Sequence, residues 1–244
     1  MRVHAFHRLL QYRQSIATRE FSARGAKIDR CNRCQVSKQY CLCEYQPDIE
    51  SNVAVMLIMS ENEVFKPSNT GRLIADVVKE AFVFQWNRTE PSQEMLDVLA
   101  DEQYQPFVVF PEEYVEDKSR LITKIDAATN SSKKPLLIFL DGSWREARRI
   151  FRKSPYLATL PVISIKPEVV SQYVMRKSDN ENHLSTAEVA SLVLQHAGET
   201  HAAEELQDWF TVFRETYLLS KTRLKPDYTR PTLKLFLEKR GIAR

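Results

Sequence analysis

The sequence contains no apolar run approaching the length of a membrane span, which argues against a helical membrane protein. Its first residues, MRVHAFHRLLQYRQ, are basic but lack the continuous apolar stretch of a secretory signal. The expectation from both absences is a cytoplasmic protein. Internal repeats and low-complexity linkers are also missing, so 244 residues read as one large domain with or without a small appendage. Cysteine is absent outside a single stretch of thirteen residues. Charge of either sign is nearly balanced overall, at +3, but unevenly placed.

Residues 1–30 carry seven Lys/Arg against two acids, and residues 221–244 carry eight against two. The remainder holds 20 basic and 28 acidic side chains. Two basic ends (an extension over 1–27 and a tail over 221–244) on an acidic body fit a polyanionic partner gripped at its edges. Solvated basic termini would give the same counts.

The four cysteines are Cys31, Cys34, Cys41 and Cys43 in CNRCQVSKQYCLC, spaced C-x2-C-x6-C-x-C. Such a cluster in a cytosolic chain is better explained by metal than by disulfides. Four thiolates suit tetrahedral zinc and leave no open position for chemistry. An iron–sulfur cluster also takes four thiolates. The expected metal is zinc, folding a knuckle over residues 28–50 that is too short for a core of its own.

Beyond the knuckle, short apolar runs at 52–60, 105–111, 135–140 and 160–166 read as strands. Helical spacing is read over 70–82, 91–102, 119–130, 144–153, 186–197 and 202–220. The alternation predicts an α/β fold over 51–220, a mostly parallel sheet with helices on both faces. Ligands of such sheets bind at the C-terminal ends of strands, where three loops stand out.

In KPSNTGRL (66–73), Ser68 or Asn69 can cap the next helix and Gly71 allows close approach. Free backbone N–H groups there favour an anion. In FLDGSWREARRIF (139–151), Asp141 ends a buried strand and Ser143 forms a capping box with Glu146. The box explains Ser143 but not Asp141 or Trp144. Arg145, Arg148, Arg149 and Arg152 then line one helix and read as phosphate contacts. In MRKSDNENHLSTAEVASLVL (175–194), Ser185 and Glu188 form a second capping box, with Arg176 upstream.

These four motifs, in this order, resemble the DTW-domain proteins, tRNA-uridine aminocarboxypropyltransferases named for an Asp-x-Thr-Trp motif. The resemblance covers roughly residues 28 to 200. Here the motif reads Asp-Gly-Ser-Trp, with Ser143 in place of Thr and its hydroxyl kept. Many members carry a His soon after the first strand, where this chain has Ser60 and Glu61.

The resemblance implies a SPOUT-like, knotted sheet. It also implies transfer of the 3-amino-3-carboxypropyl arm of S-adenosylmethionine to N3 of a uridine, position 47 of the tRNA variable loop. Asp141, Ser143 and Trp144 are then the catalytic candidates: Asp141 as base or N3–H orienter, Trp144 stacking a base or packing as core. Ser68, Asn69, Thr70, Gly71, Leu140, Ser185, Thr186 and Glu188 are the cofactor candidates. The arginines and Arg176 would hold tRNA; no protein partner is indicated. A SPOUT-type RNA methyltransferase would use the same cofactor through another carbon. A non-catalytic zinc-knuckle RNA-binding protein would need none of these loops.

Overall fold

Two of the apolar runs, near residues 54–59 and 134–141, become adjacent strands at the centre of one sheet. The computed structural model describes residues 1–18, 27–122, 125, 132–164, 184–221 and 226–242. Among these residues there are six strands: β1 (Ala54–Met59), β2 (Ala81–Gln85), β3 (Tyr104–Val109), β4 (Leu121–Ile122), β5 (Lys134–Asp141) and β6 (Val162–Ile163). All pair in parallel, in the order β2-β1-β5-β3-β6-β4. The helices are α1 (Ala5–Ser15), α2 (Arg72–Val77), α3 (Gln93–Ala100), α4 (Trp144–Lys153), α5 (Thr186–His196), α6 (Thr200–Leu218) and α7 (Pro231–Glu238). Among the described residues no helix is long and apolar enough to cross a membrane.

Every residue of β1 is buried, as expected for a parallel strand covered on both faces. Alternation sends Val55, Leu57, Met59, Leu137 and Phe139 to one face, where α1, α2, α5, α6 and α7 pack. Met56, Ile58, Ile138 and Leu140 go to the other, against α3 and α4. The α/β class, the parallel sheet and helices on both faces follow the sequence reading.

Several elements differ from it. The helix expected over 70–82 stops at Val77, and residues 81–85 form β2 instead. AFVFQ is aromatic and β-branched, and it completes the sheet beside β1, so tertiary pairing overrides the helical spacing. Residues 118–120 form a 3-10 turn leading into β4 where a helix was expected. Residues 123–124 and 126–131 lie outside the described residues. So do 165–183, which include Arg176 and the end of the strand read over 160–166.

Both basic ends contain a packed helix. Phe6 and Leu10 of α1, and Leu233 and Phe236 of α7, are buried in the first face's core. Pro231 opens α7, a position where its missing N–H costs nothing. The cysteine knuckle joins the same core through Val36 and Leu42, both at most 1% exposed.

Candidate active site and metal centre

Neighbouring strands β1 and β5 send the chain to opposite faces, one toward α2 and the other into α4. Such a divergence opens a crevice at the strands' C-terminal ends. Asp141 is the last residue of β5, paired with Met59 at the end of β1, and it is fully buried. Its carbonyl accepts the Ser60 N–H at 2.8 Å.

The Asp141 carboxylate draws in two distant motifs. Asn69 Nδ2 donates to Oδ2 at 2.6 Å, and Thr186 Oγ1 donates to Oδ1 at 2.6 Å. Gly71 lies against the same group: a Cβ built there would meet Oδ2 at 2.5 Å. The KPSNTGRL turn, expected to meet a ligand's anion, therefore already faces the protein's own carboxylate. Helix α2 behind it is only six residues long, with Asn69 Oδ1 accepting the Arg72 N–H at 2.9 Å. Thr70 is buried and Ser68 half-buried.

Both capping boxes form. Ser143 Oγ accepts the Glu146 N–H while Glu146 accepts the Ser143 N–H at 2.8 Å. Ser185 and Glu188 repeat the arrangement, which places Thr186 at the start of α5 facing Asp141. Burial pushes the Glu146 carboxyl up, but the Ser143 hydroxyl and amide outweigh it and hold it below the usual carboxylate range. Lys66 adds to that pull and Glu63 opposes it, so both stand within electrostatic reach of the start of α4.

Trp144 lies on the second face. It stacks on Phe110 with centroids 5.7 Å apart and meets Tyr114 edge-on at 5.2 Å. The Arg148 guanidinium sits 5.8 Å from the Trp144 ring, and Arg149 sits 5.5 Å from the Trp86 ring. Arg145, Arg149 and Arg152 are exposed along α4, while Ala147 and Ile150 are buried beneath it. Leu140 faces this side too, opposite Asp141.

The four cysteines converge. Cys31 and Cys43 sulfurs are 3.5 Å apart, Cys34 and Cys41 sulfurs 3.7 Å apart, and all four lie within 4.8 Å of one another. Tetrahedral zinc with Zn–S near 2.3 Å requires S···S of about 3.8 Å, so the donor set fits such an ion. The charge fits as well. Arg72 is 1% exposed, its Nη2 has no hydrogen-bond partner among the described residues, and the thiolates contribute to its electrostatic surroundings. A four-thiolate zinc complex is dianionic, and a buried guanidinium is its natural counter-charge.

His4, His7 and Asp76 form a second buried group of ligand-type side chains that sequence reading did not single out. Both Asp76 oxygens and one nitrogen of each histidine are already engaged. His4 Nε2 bonds Asp76 Oδ1 at 2.8 Å, Trp209 Nε1 donates to Oδ2 at 3.0 Å, and His7 Nδ1 accepts the His4 N–H at 3.3 Å. Arg72 lies near enough to lower the pKa of His7, an unfavourable setting for a metal cation. The group is a hydrogen-bonded latch joining α1, α2 and α6.

Glu63 was also missed. It is fully buried in a segment that reads as an ordinary polar loop, and it binds Lys66 Nζ and Asn69 Nδ2. The signal available was the spacing of Glu63, Lys66 and Asn69, three residues apart in turn.

A family model described as the DTW domain matches residues 28–218. Among curated proteins, the chain is similar to tRNA-uridine aminocarboxypropyltransferase 2 of Mus musculus. It is 24% identical over 185 residues, covering 72% of this chain and 58% of that protein. The protein of the same name in Macaca fascicularis is 25% identical over 171 residues, covering 67% and 55%. The chain thus spans little more than half the length of these curated relatives. No solved structure matches the chain.

Proposed function

The chain belongs to the DTW domain family, and on that premise we propose that it is a tRNA-uridine aminocarboxypropyltransferase. The observation that carries the reading is the convergence of three separate motifs, through Asn69, Asp141 and Thr186, on one buried carboxylate at a strand-end crevice.

The proposed acceptor is N3 of a variable-loop uridine at position 47, and the proposed donor is S-adenosylmethionine. When bound, that co-substrate supplies a sulfonium whose arm carbon can be attacked, the C–S electron pair departing with methylthioadenosine. Uridine N3–H is a weak acid, so the nucleophile forms only if its proton is taken or oriented. Asp141 is assigned that task, with Asn69 and Thr186 fixing the direction of its oxygens. Ser143 in place of Thr keeps its capping hydroxyl. Ser68, Thr70, Gly71 and Leu140, with the start of α5 at Ser185 and Glu188, are assigned to cofactor contact around the crevice. Trp144 is assigned to the border between crevice and RNA surface, as its ring packs on Phe110 and Tyr114 and is half-buried.

Arg145, Arg148, Arg149 and Arg152, with Arg176, are assigned to tRNA phosphates. Three of them are exposed on one helix that starts beside Asp141. The cysteines are assigned one structural zinc. The sheet is assigned a SPOUT-like knot. What supports it is that β6 lies between β3 and β4 after both have been laid down, and that α5 then returns to the crevice. The site of action is the cytoplasm.

The test is mass spectrometry of nucleosides from tRNA incubated with purified protein and cofactor. Aminocarboxypropyluridine is expected. A methylated uridine would replace this reading with a methyltransferase, and unmodified tRNA that nevertheless binds would leave only an RNA-binding role.

A further inference from the structure

Asn69 carries two amide hydrogens, and both are spent on carboxylates. Nδ2 reaches Asp141 Oδ2 at 2.6 Å and Glu63 Oε1 at 3.0 Å, while Oδ1 accepts the Arg72 N–H at 2.9 Å. The opposite orientation would aim a carbonyl oxygen at two carboxylate oxygens and an NH2 at an N–H. The amide therefore has one allowed orientation, and Glu63 is one of the groups that enforce it. Glu63 and Asn69 are both fully buried, so water cannot substitute for either contact. A buried carboxylate near a second one is costly unless it is paired, and Lys66 Nζ at 2.6 Å offsets its charge.

We propose that Glu63 is a positioning residue for Asp141, acting through the Asn69 amide. Glu63 accepts one Asn69 hydrogen so that the other must point at Asp141, holding the carboxylate in the direction the reaction uses. The inference rests on the proposed transfer reaction, in which Asp141 handles the N3 proton. It differs from a plain ion-pair role in what Glu63 must keep. For positioning, the acceptor atom at the right distance matters. For a Glu63–Lys66 ion pair, the charge matters.

Two substitutions separate these. Glu63→Gln keeps an acceptor oxygen at full reach and discards the charge; Lys66, a third exposed, can turn to solvent. Glu63→Asp keeps the charge and withdraws the acceptor by one methylene. Positioning predicts that kcat, at saturating S-adenosylmethionine and tRNA, falls about 10- to 100-fold further in E63D than in E63Q, with KM for the cofactor similar in both. An ion-pair role predicts the reverse order, and that order would overturn the proposal. Equal rates in the two variants would overturn it as well.

A second readout does not depend on catalysis. In the protein without substrates, the two side-chain amide protons of Asn69 should both resonate downfield in 15N–1H spectra. E63Q should retain both, and E63D should lose one. If the parent protein transfers no arm, the functional reading fails, and the Asn69 resonances still decide whether Glu63 sets the amide. Unchanged resonances in E63D would end the proposal whatever the activity.

Discussion

Around α2, on one face of the sheet, Glu63, Arg72, Asp76 and Asp141 are each at most 4% exposed, whereas the packing beneath α3 and α4 is aliphatic and aromatic. On that second face a buried polar side chain, Ser154, serves to receive the Trp86 N–H at 2.9 Å, and the charges lie at the rim as guanidinium groups over rings. Buried charge is costly and survives only where partners are supplied. The first face supplies them from four separated segments: His4, the knuckle, the 63–72 turn and Trp209. The contrast separates a face built to fix a few atoms from one built to present a surface. Its three tryptophans report on the faces separately, Trp209 on the first and Trp86 and Trp144 on the second.

Metal loss should break the comparison most severely. The purified protein should contain one zinc, and iron or no metal by elemental analysis would refute the assignment. Cys34→Ser, or chelation, should cost several kcal/mol or more of folding energy, because structural zinc binding is coupled to folding. Val36, Leu42 and the Arg72 counter-charge all depend on the knuckle, so Trp209 emission should shift to the red first. Simultaneous shifts from all three tryptophans would show that the faces unfold as one unit.

Asp141→Asn comes next. The introduced amide can donate to the Thr186 hydroxyl, which turns to accept, while its oxygen still receives Asn69. The melting temperature should therefore stay near that of the parent. Single-turnover arm transfer should fall about 100-fold or more, the scale of a lost general base. A near-parent rate would reduce Asp141 to a structural anchor.

Acid should weaken the first face selectively. Burial, and then the neighbouring His4, lower the His7 pKa to about 4. His7 is thus neutral in the fold while the unfolded chain takes up its proton near pH 6.5. Between those values the unfolded state binds more protons, so the contribution is fully present above pH 6.5 and is lost as pH falls toward 4. The loss should be about 1–3 kcal/mol, and His7→Gln should flatten that part of the stability profile. An unchanged slope in the variant would locate the acid sensitivity elsewhere.

The smallest effect is expected on the second face. Arg149 is exposed over Trp86, a pair worth about 0.5–1 kcal/mol, so Arg149→Glu should barely change stability. It should weaken tRNA binding and flatten the dependence of log affinity on log salt, leaving cofactor affinity alone. A salt dependence equal to the parent's would remove α4 from the RNA surface.

What the sequence revealed tracks how local each feature is. The capping boxes at Ser143 and Ser185, the limits of α4 and the cysteine cluster are written within a few residues, and all appear as read. β2 was hidden because Val77, Val78 and Ala81 continue a helical spacing until pairing with β1 decides otherwise. Asp76 and Arg72 looked like parts of an amphipathic helix. Their burial follows from His4, Trp209 and the knuckle, 72 and more residues away in the first two cases. Glu63 was marked by no more than its three-residue spacing from Lys66 and Asn69, since its meaning lies in one amide hydrogen of Asn69.

The placement of β6 bears on how the chain reaches this state. β1 and β3 each align six residue pairs with β5, while β6 contributes two pairs on either side. Among the described residues β4 pairs with β6 alone, so its place in the sheet depends on β6 having arrived. β6 has two described pairs with β3 where β5 has six, so less pairing offsets the entropy of closing the chain between Val108 and Val162. Residues 121–122 and 162–163 should therefore assemble last and open first. Their amides should exchange with solvent well before those of β1 and β5, in a local excursion that leaves the cysteine knuckle and the Asp141 crevice closed.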